Sequence, residues 1–219
     1  MRVYLRLRRN IQTIPFNYQE LLTGTIHKWI GQDNEFHGES GHYSFSWLQN
    51  TKANKNGIDL KKDAYFFISS RNENLLKKII KSILEDPEMF NGISVIDIQI
   101  QNTPEFTSSE NFLMASPVLL KEKQDDEIRH ITLIDDDFEE ALTNNLKRKL
   151  DKVGIGSEGV IVNLDPETSY RQTKLVSYKG IKNKTSLAPI TIMGTPEQIA
   201  FAWTNGLGNS TGIGFGALK

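Results

Sequence analysis

Residues 2–9 alternate, with Val3, Leu5 and Leu7 on one side and Arg2, Arg6 and Arg8 on the other, which predicts a half-buried strand. Pro15 then stands at a helix start, followed by Leu21, Leu22, Ile26, Trp29 and Ile30 at helical spacing, and Gly31 is a natural stop. His42 to Trp47 alternates and is aromatic, hence strand. A turn at Asn56-Gly57 leads into a further strand, Ala64 to Ser69. Residues 72–85 place Leu75, Leu76, Ile79, Ile80, Ile83 and Leu84 on one face of an amphipathic helix. Asn91-Gly92 turns into an alternating stretch, Ile93 to Ile100. The order is β-α-β-β-α-β.

The second half repeats the pattern less regularly. Apolar stretches at 112–120 and 128–134 predict a strand or long hairpin, and Asp135 to Leu150 predicts a helix with acids at its start and Lys147, Arg148 and Lys149 at its end. Val160-Ile161-Val162 and Lys174 to Ile192 read as strands, the latter long enough to be a hairpin. Thr195-Pro196-Glu197-Gln198 matches a capping box at the head of a helix that runs to Gly206, and Gly214 to Leu218 predicts a final strand. The expected fold is therefore α+β, two tandem ferredoxin-like βαββαβ domains covering residues 1–102 and 103–219.

Composition changes this picture little. Hydrophobic residues make up 38% and charged residues 24% of 219, an ordinary globular mixture. No apolar run approaches the roughly 18 residues that span a bilayer, and the N-terminus is not a secretory signal, so the cytoplasm is the expected compartment. With no cysteine, disulfides, thiolate nucleophiles and zinc-thiolate sites are excluded.

Charge changes it more. The net charge is −1, but nine acids crowd between Glu122 and Glu140, whereas Thr168 to Pro196 contains no acid and holds Arg171, Lys174, Lys179, Lys182 and Lys184. Arg2, Arg6, Arg8 and Arg9 add to the basic side. Local patches govern electrostatic binding, so this segregation permits a phosphate-binding face; a solvated strand surface explains it equally well. Tyr170 and Tyr178 interleave with the bases and suit stacking on unpaired bases.

The segment Gly206 to Gly216 holds five of the sixteen glycines, at 206, 208, 212, 214 and 216. It follows a helix and precedes a strand, unlike a dinucleotide fingerprint, and lacks the Lys-Ser/Thr of a P-loop. A tight helix–strand link would need one or two glycines rather than five. Backbone approach to a phosphate-bearing strand is the functional alternative.

Gly206-Leu207-Gly208, five residues, then Gly214-Phe215-Gly216, at the end of a tandem ferredoxin-like chain, resembles the RAMP superfamily of CRISPR-associated proteins. Pro15-Phe16-Asn17-Tyr18-Gln19, the helix ending Ile26-His27-Lys28-Trp29-Ile30, Phe36-His37 and the aromatic Phe45-Ser46-Trp47 make it similar, within that superfamily, to the repeat-RNA endoribonucleases of the Cas-six family. The resemblance covers the whole chain in order. It implies cleavage of CRISPR repeat RNA to mature guide RNA, with other CRISPR-associated proteins as further partners.

In such cleavage the ribose 2′-OH attacks the adjacent phosphate, a base removes its proton and an acid protonates the departing 5′-oxygen, so no metal or cofactor is obligatory. Histidine exchanges protons near neutral pH. The resemblance places the general acid/base histidine at His37, with His27 as its partner where the family often has Tyr, which leaves the division of roles open. His42 is the reserve and His130, among apolar residues, is expected to be structural. His27 also fits a helix-edge histidine bonded locally. Lys28, Lys52 and the glycine-segment amides are candidate donors to the phosphorane. Asn209-Ser210-Thr211 carries no cation where the family often has a basic residue, which leaves the phosphates to the basic stretch. The competing functions are a non-catalytic RAMP-type guide-RNA-binding subunit and a ferredoxin-like protein acting on small molecules. The histidine cluster argues against the first and the acid-free basic stretch against the second. Monomer and homodimer are both open.

Overall fold

A computed structural model of the chain describes residues 1–31, 43–124 and 127–219. The N-terminal half is built from β1 (Arg2–Leu7), α1 (Gln19–Ile30), β2 (Tyr43–Phe45), β3 (Gln49–Asn54), β4 (Gly57–Ser70), α2 (Glu73–Glu85) and β5 (Val95–Gln101). Its antiparallel sheet runs β2-β4-β1-β5, with β3 also on β4. This is the ferredoxin-like order, with the second strand broken into β2 and β3. Val3, Leu5 and Leu7 face a core shared with Leu22, Ile26 and Trp29 of α1 and Leu75, Leu76, Ile79 and Ile83 of α2. The alternation of β1 thus does what its pattern predicts, burying one face under two helices.

The first helix begins at Gln19 rather than at Pro15. Ile14 exchanges both backbone hydrogen bonds with Ile58, at 3.0 and 2.8 Å, and holds the chain extended up to the proline. The strand expected over 64–69 is the end of the fourteen-residue β4. Asn72 caps α2, accepting from the Leu75 N–H at 3.1 Å.

The C-terminal half adds β6 (Ser109–Phe112), β7 (Leu120–Gln124), β8 (Glu127–Ile131), α3 (Phe138–Lys152), β9 (Ile161–Leu164), β10 (Gln172–Tyr178), β11 (Ile181–Leu187), β12 (Ile190–Met193) and α4 (Pro196–Asn205). Its central sheet is β6-β12-β9, and two antiparallel hairpins, β7-β8 and β10-β11, are inserted into the ferredoxin-like order. The core gathers Leu142, Leu146 and Leu150 of α3 with Val162, Ile190, Ile192, Ile199 and Trp203. The helix expected from Asp135 starts at Phe138 because those acids are engaged beforehand: Asp135 accepts from Thr132, and Asp137 takes Arg129 in two bonds of 2.7 and 2.9 Å. The run 174–192 is a hairpin plus the separate strand β12.

The final strand expected at Gly214 to Leu218 does not form. Gly214 and Gly216 adopt φ of 89° and 67°, incompatible with a pleated strand, and only the last residues, around Leu218, pair with Met114 beside β6. Among the described residues no helix is long and apolar enough to cross a membrane.

One residue of β1 is misplaced by its pattern. Arg2 is buried, not displayed: its guanidinium lies 3.8 Å from the Phe67 ring centroid and 3.9 Å from that of Trp203. It donates to Ser69 Oγ (2.7 Å), to the Trp203 carbonyl (3.2 Å) and to the Leu218 carbonyl (2.7 Å). It therefore joins the two halves and is unavailable to phosphates.

Candidate nucleic-acid interface and catalytic helix

The glycine-rich segment is a strap between the halves. The capping box at Thr195 forms as its sequence predicts, with bonds of 2.8 and 3.3 Å between Thr195 and Gln198, and α4 delivers the chain to Gly206. Lys149 of α3 donates to the Gly206 carbonyl at 3.1 Å, and burial pushes its ammonium pKa down to about 7. The Leu207 N–H then bonds to the Gly216 carbonyl, and Gly216 packs so closely on the Leu207 carbonyl that a Cβ would overlap it. The Asn209 N–H donates to Leu119 O at 2.7 Å, its side-chain oxygen accepts from the Lys121 N–H at 2.8 Å, and Phe215 is buried against Leu119 and Val176.

The opposite edge of the strap faces the N-terminal half through three successive carbonyls. Tyr43 Oη donates to Gly212 O at 3.0 Å, Gln19 Nε2 to Ile213 O at 2.6 Å and Trp47 Nε1 to Gly214 O at 2.8 Å; Thr23 Oγ1 adds a longer bond to Ile213 O, 3.4 Å. Of the five glycines only Gly212 is even partly exposed, and the accessible residues of the tip are Asn209, Ser210, Gly212 and Ile213. Close packing between elements is thus the first use of this segment. Gln19, Thr23, Tyr43 and Trp47 are functional here as docking groups. Their sequence carries no signal for it beyond the aromatic character of 43–47, since each bond spans more than 160 residues.

Helix α1 is held by this strap at its first turns and carries His27, exposed, in its last turn. His27 lies four residues beyond Thr23 and so shares its face. Lys28 points away to the other side. It donates to Asp86 at 2.9 Å and to the Glu88 carbonyl at 2.5 Å, and together with the Glu88 N–H holds the Asp86 carboxyl below its usual range. Lys52 is across from Asp59 in the β3-β4 hairpin. His37 and His42 lie outside the described residues. His130, on β8 opposite Lys121, belongs to the C-terminal half; burial first and then the charge of Lys121 lower its pKa, and the nearby Asn183 side chain opposes that shift.

The basic stretch forms the β10-β11 hairpin, and period-two alternation divides its charges between two faces. Lys174 is in register with Thr185 on the face that carries Val176, Asn183 and Tyr178, the face packed inward; its ammonium is 5.8 Å from the Trp47 ring centroid. Lys182 and Lys184 stand opposite Ser177 and Leu175 on the outer face, Lys179 is at the turn and Arg171 just precedes β10. At the hairpin tip burial raises the Tyr178 phenol pKa, with Thr23 of α1 opposing the shift and the charge of Glu20 adding to it, which places the tip near α1. Three sequence-distant features therefore meet at one place: the helix with His27, the strap tip and the basic hairpin. On the first strand, Arg6 is occupied by Asp97 at 3.5 Å and Asp63 at 3.8 Å.

Comparison with known proteins agrees with this architecture. A curated relative in Methanocaldococcus jannaschii, CRISPR-associated endoribonuclease Cas6 1, is 27% identical over the whole chain and 92% of its own length. A Pyrococcus furiosus relative, a putative CRISPR-associated endoribonuclease-like protein Cas6, is 26% identical over the whole chain and 98% of its length. The solved structure of a Cas6-related protein from Pyrococcus furiosus superimposes with a TM-score of 0.85 at 24% identity, covering all of this chain and 97% of that one. The family model described as CRISPR associated protein Cas6, C-terminal, matches residues 101–219, more than half of the sequence, and the chain belongs to that Cas6 family.

Proposed function

We propose that the protein is a metal-independent endoribonuclease that cuts CRISPR repeat RNA to produce guide RNA. The single observation that carries this reading is the strap, which is bonded to α1 through Gln19 and Thr23 and packs Phe215 against Val176 of the basic hairpin, so that His27's helix and the hairpin share it. A strand lying on Lys174, Lys179 and the neighbouring Arg171, Lys182 and Lys184 has its phosphates led towards α1. The strap tip, with Gly212 partly exposed in it, lines that path, while Gly206, Gly208, Gly214 and Gly216 shape it from beneath. Residues 1–102 supply the histidines and residues 103–219 the grip.

At the cut, the 2′-oxygen forms its bond to phosphorus as the bond from phosphorus to the 5′-oxygen breaks. One histidine accepts the 2′-OH proton and the other delivers a proton to the departing oxygen, leaving a 2′,3′-cyclic phosphate and a 5′-OH. His27 and His37 are the pair, with His42 in reserve. Proton transfer by positioned groups of near-neutral pKa accounts for about 10²- to 10⁴-fold per group. The lack of a cation on the strap favours one second reading, a guide-RNA-binding subunit without cleavage.

Incubation of the protein with repeat RNA in EDTA, beside RNA with 2′-deoxyribose at the cut site, separates the readings. The expected result is cleavage in EDTA, none of the deoxy substrate, and loss of about 10²-fold or more in rate for His27→Ala and for His37→Ala with RNA affinity retained. Cleavage that needs metal, or survives the deoxy substitution, overturns the mechanism; tight binding without cleavage favours the second reading.

A further inference from the structure

Gly24 stands in the middle of α1 and, among the described residues, is the only glycine inside an α-helix. Glycine weakens a helix there, and Thr23 and Thr25 on either side are poor helix formers too. Gly206 and Gly216 answer to a positive φ and a close neighbour; Gly24 has neither. Its backbone is helical, and a Cβ built on it meets nothing within 4 Å among the described residues. The packing of the chain does not ask for the missing side chain, which points to a constraint from outside the chain.

Gly24 lies three residues before His27, on the exposed side of the helix. Residues three apart are neighbours on a helix surface, and helical side chains lean back over the preceding turn, so the imidazole overhangs the bare backbone at Gly24. Leu21, three residues earlier again and 41% exposed, gives the same face an apolar floor. Glu20, one turn before Gly24 and exposed, disfavours a phosphate at this spot and leaves it to an uncharged group. The helix is pinned at both ends: Gln19 and Thr23 bind it to the strap, and Trp29 Nε1 donates to the Asp86 carbonyl at 2.9 Å. Room for a ligand beside His27 therefore comes from the absent side chain.

We propose that Gly24 is a substrate-contacting position of this site: the ribose at the cut lies on the bare helix backbone there, which brings its 2′-oxygen and the adjacent phosphate to His27. No bond or proton is exchanged at Gly24; its contribution is steric access. The inference rests on the nuclease reading above.

Single-turnover cleavage of repeat RNA at saturating protein, with Gly24→Ala and Gly24→Gln, tests it beside thermal melts. Both substitutions improve helix propensity in open space, so both variants should melt about 1–4 °C higher. Cleavage should nevertheless slow, about 10-fold for Gly24→Ala and about 100-fold or more for Gly24→Gln, as a displaced reactive geometry brings. Kd should stay within about threefold, because the grip is on the hairpin, and the pH–rate profile should drop without moving along the pH axis. A rate in Gly24→Gln equal to that of the unaltered protein overturns this inference alone and leaves the nuclease reading in place. A lower melting point in Gly24→Ala counts against it as well, because the glycine then serves the fold. A displaced pH–rate profile would replace it with an altered His27 environment. Failure of the unaltered protein to cleave would sink the nuclease reading and this inference together.

Discussion

At the scale of single residues, the glycines show how a composition signal divides between uses. Five glycines in eleven residues suggested a backbone that lies against a ligand, and the strap tip remains available for that. Most of them answer to a different constraint. Gly216 adopts φ 67° and lies against the Leu207 carbonyl, so a methyl group there meets backbone that cannot move without dislodging α4. Gly216→Ala should destabilise the protein by about 3 kcal/mol, combining left-handed strain with the collision. Gly156→Ala, where a Cβ meets nothing within 4 Å, should change stability by less than about 0.5 kcal/mol. Thermal melts of both variants check this, and equal effects would contradict the assignment.

At the scale of elements, the hairpin β10-β11 carries the electrostatics. Its sequence announced five bases without an acid, but not that alternation would turn Lys174 inward beside Trp47 and leave Lys182 and Lys184 on the other face. Lys179 at the turn and Lys182 and Lys184 on the outer face, all exposed, should contact RNA phosphates. Each Lys→Ala change there should reduce the slope of log Kd against log salt by about 0.7, the value for one single-strand phosphate contact. Filter binding at several salt concentrations measures it, and an unchanged slope would remove that residue from the interface. Elements themselves were largely legible: α2 from its apolar face, β1 from its alternation, α4 from its capping box. Those that were misjudged had their ends set by partners: β4 continues to Gly57 because Ile14 and β3 pair with it, and α3 starts late because Arg129 and Thr132 claim Asp137 and Asp135.

At the scale of the whole molecule, Arg2 and the strap make two ferredoxin-like halves into one unit. Burial lowers the pKa of Arg2 to about 10, so it stays charged at neutral pH, with no carboxylate in ion-pair distance among the described residues. Two aromatic rings and two backbone carbonyls of the other elements compensate its desolvation. Arg2→Ala leaves those carbonyls without their donor and should cost about 3 kcal/mol in urea unfolding. Arg2→Lys should restore little, because an ammonium cannot lie flat between Phe67 and Trp203 while reaching both carbonyls. A loss below about 1 kcal/mol would show that the halves are joined mainly elsewhere.

The sequence by itself determined the order of strands and helices, the faces they bury and the places where chain direction changes, because periodicity, capping and turn chemistry act within a few residues. It also concentrated the candidate chemistry: histidines near the first helix, bases in one stretch, glycines in another. Only the tertiary structure decided what these meet. Gln19 reaches Ile213 across 194 residues and Arg2 reaches Leu218 across 216, and no local pattern encodes such a contact. The same holds for Val176 against Phe215: a hairpin and a strap are each written locally, but their encounter depends on how both cores pack.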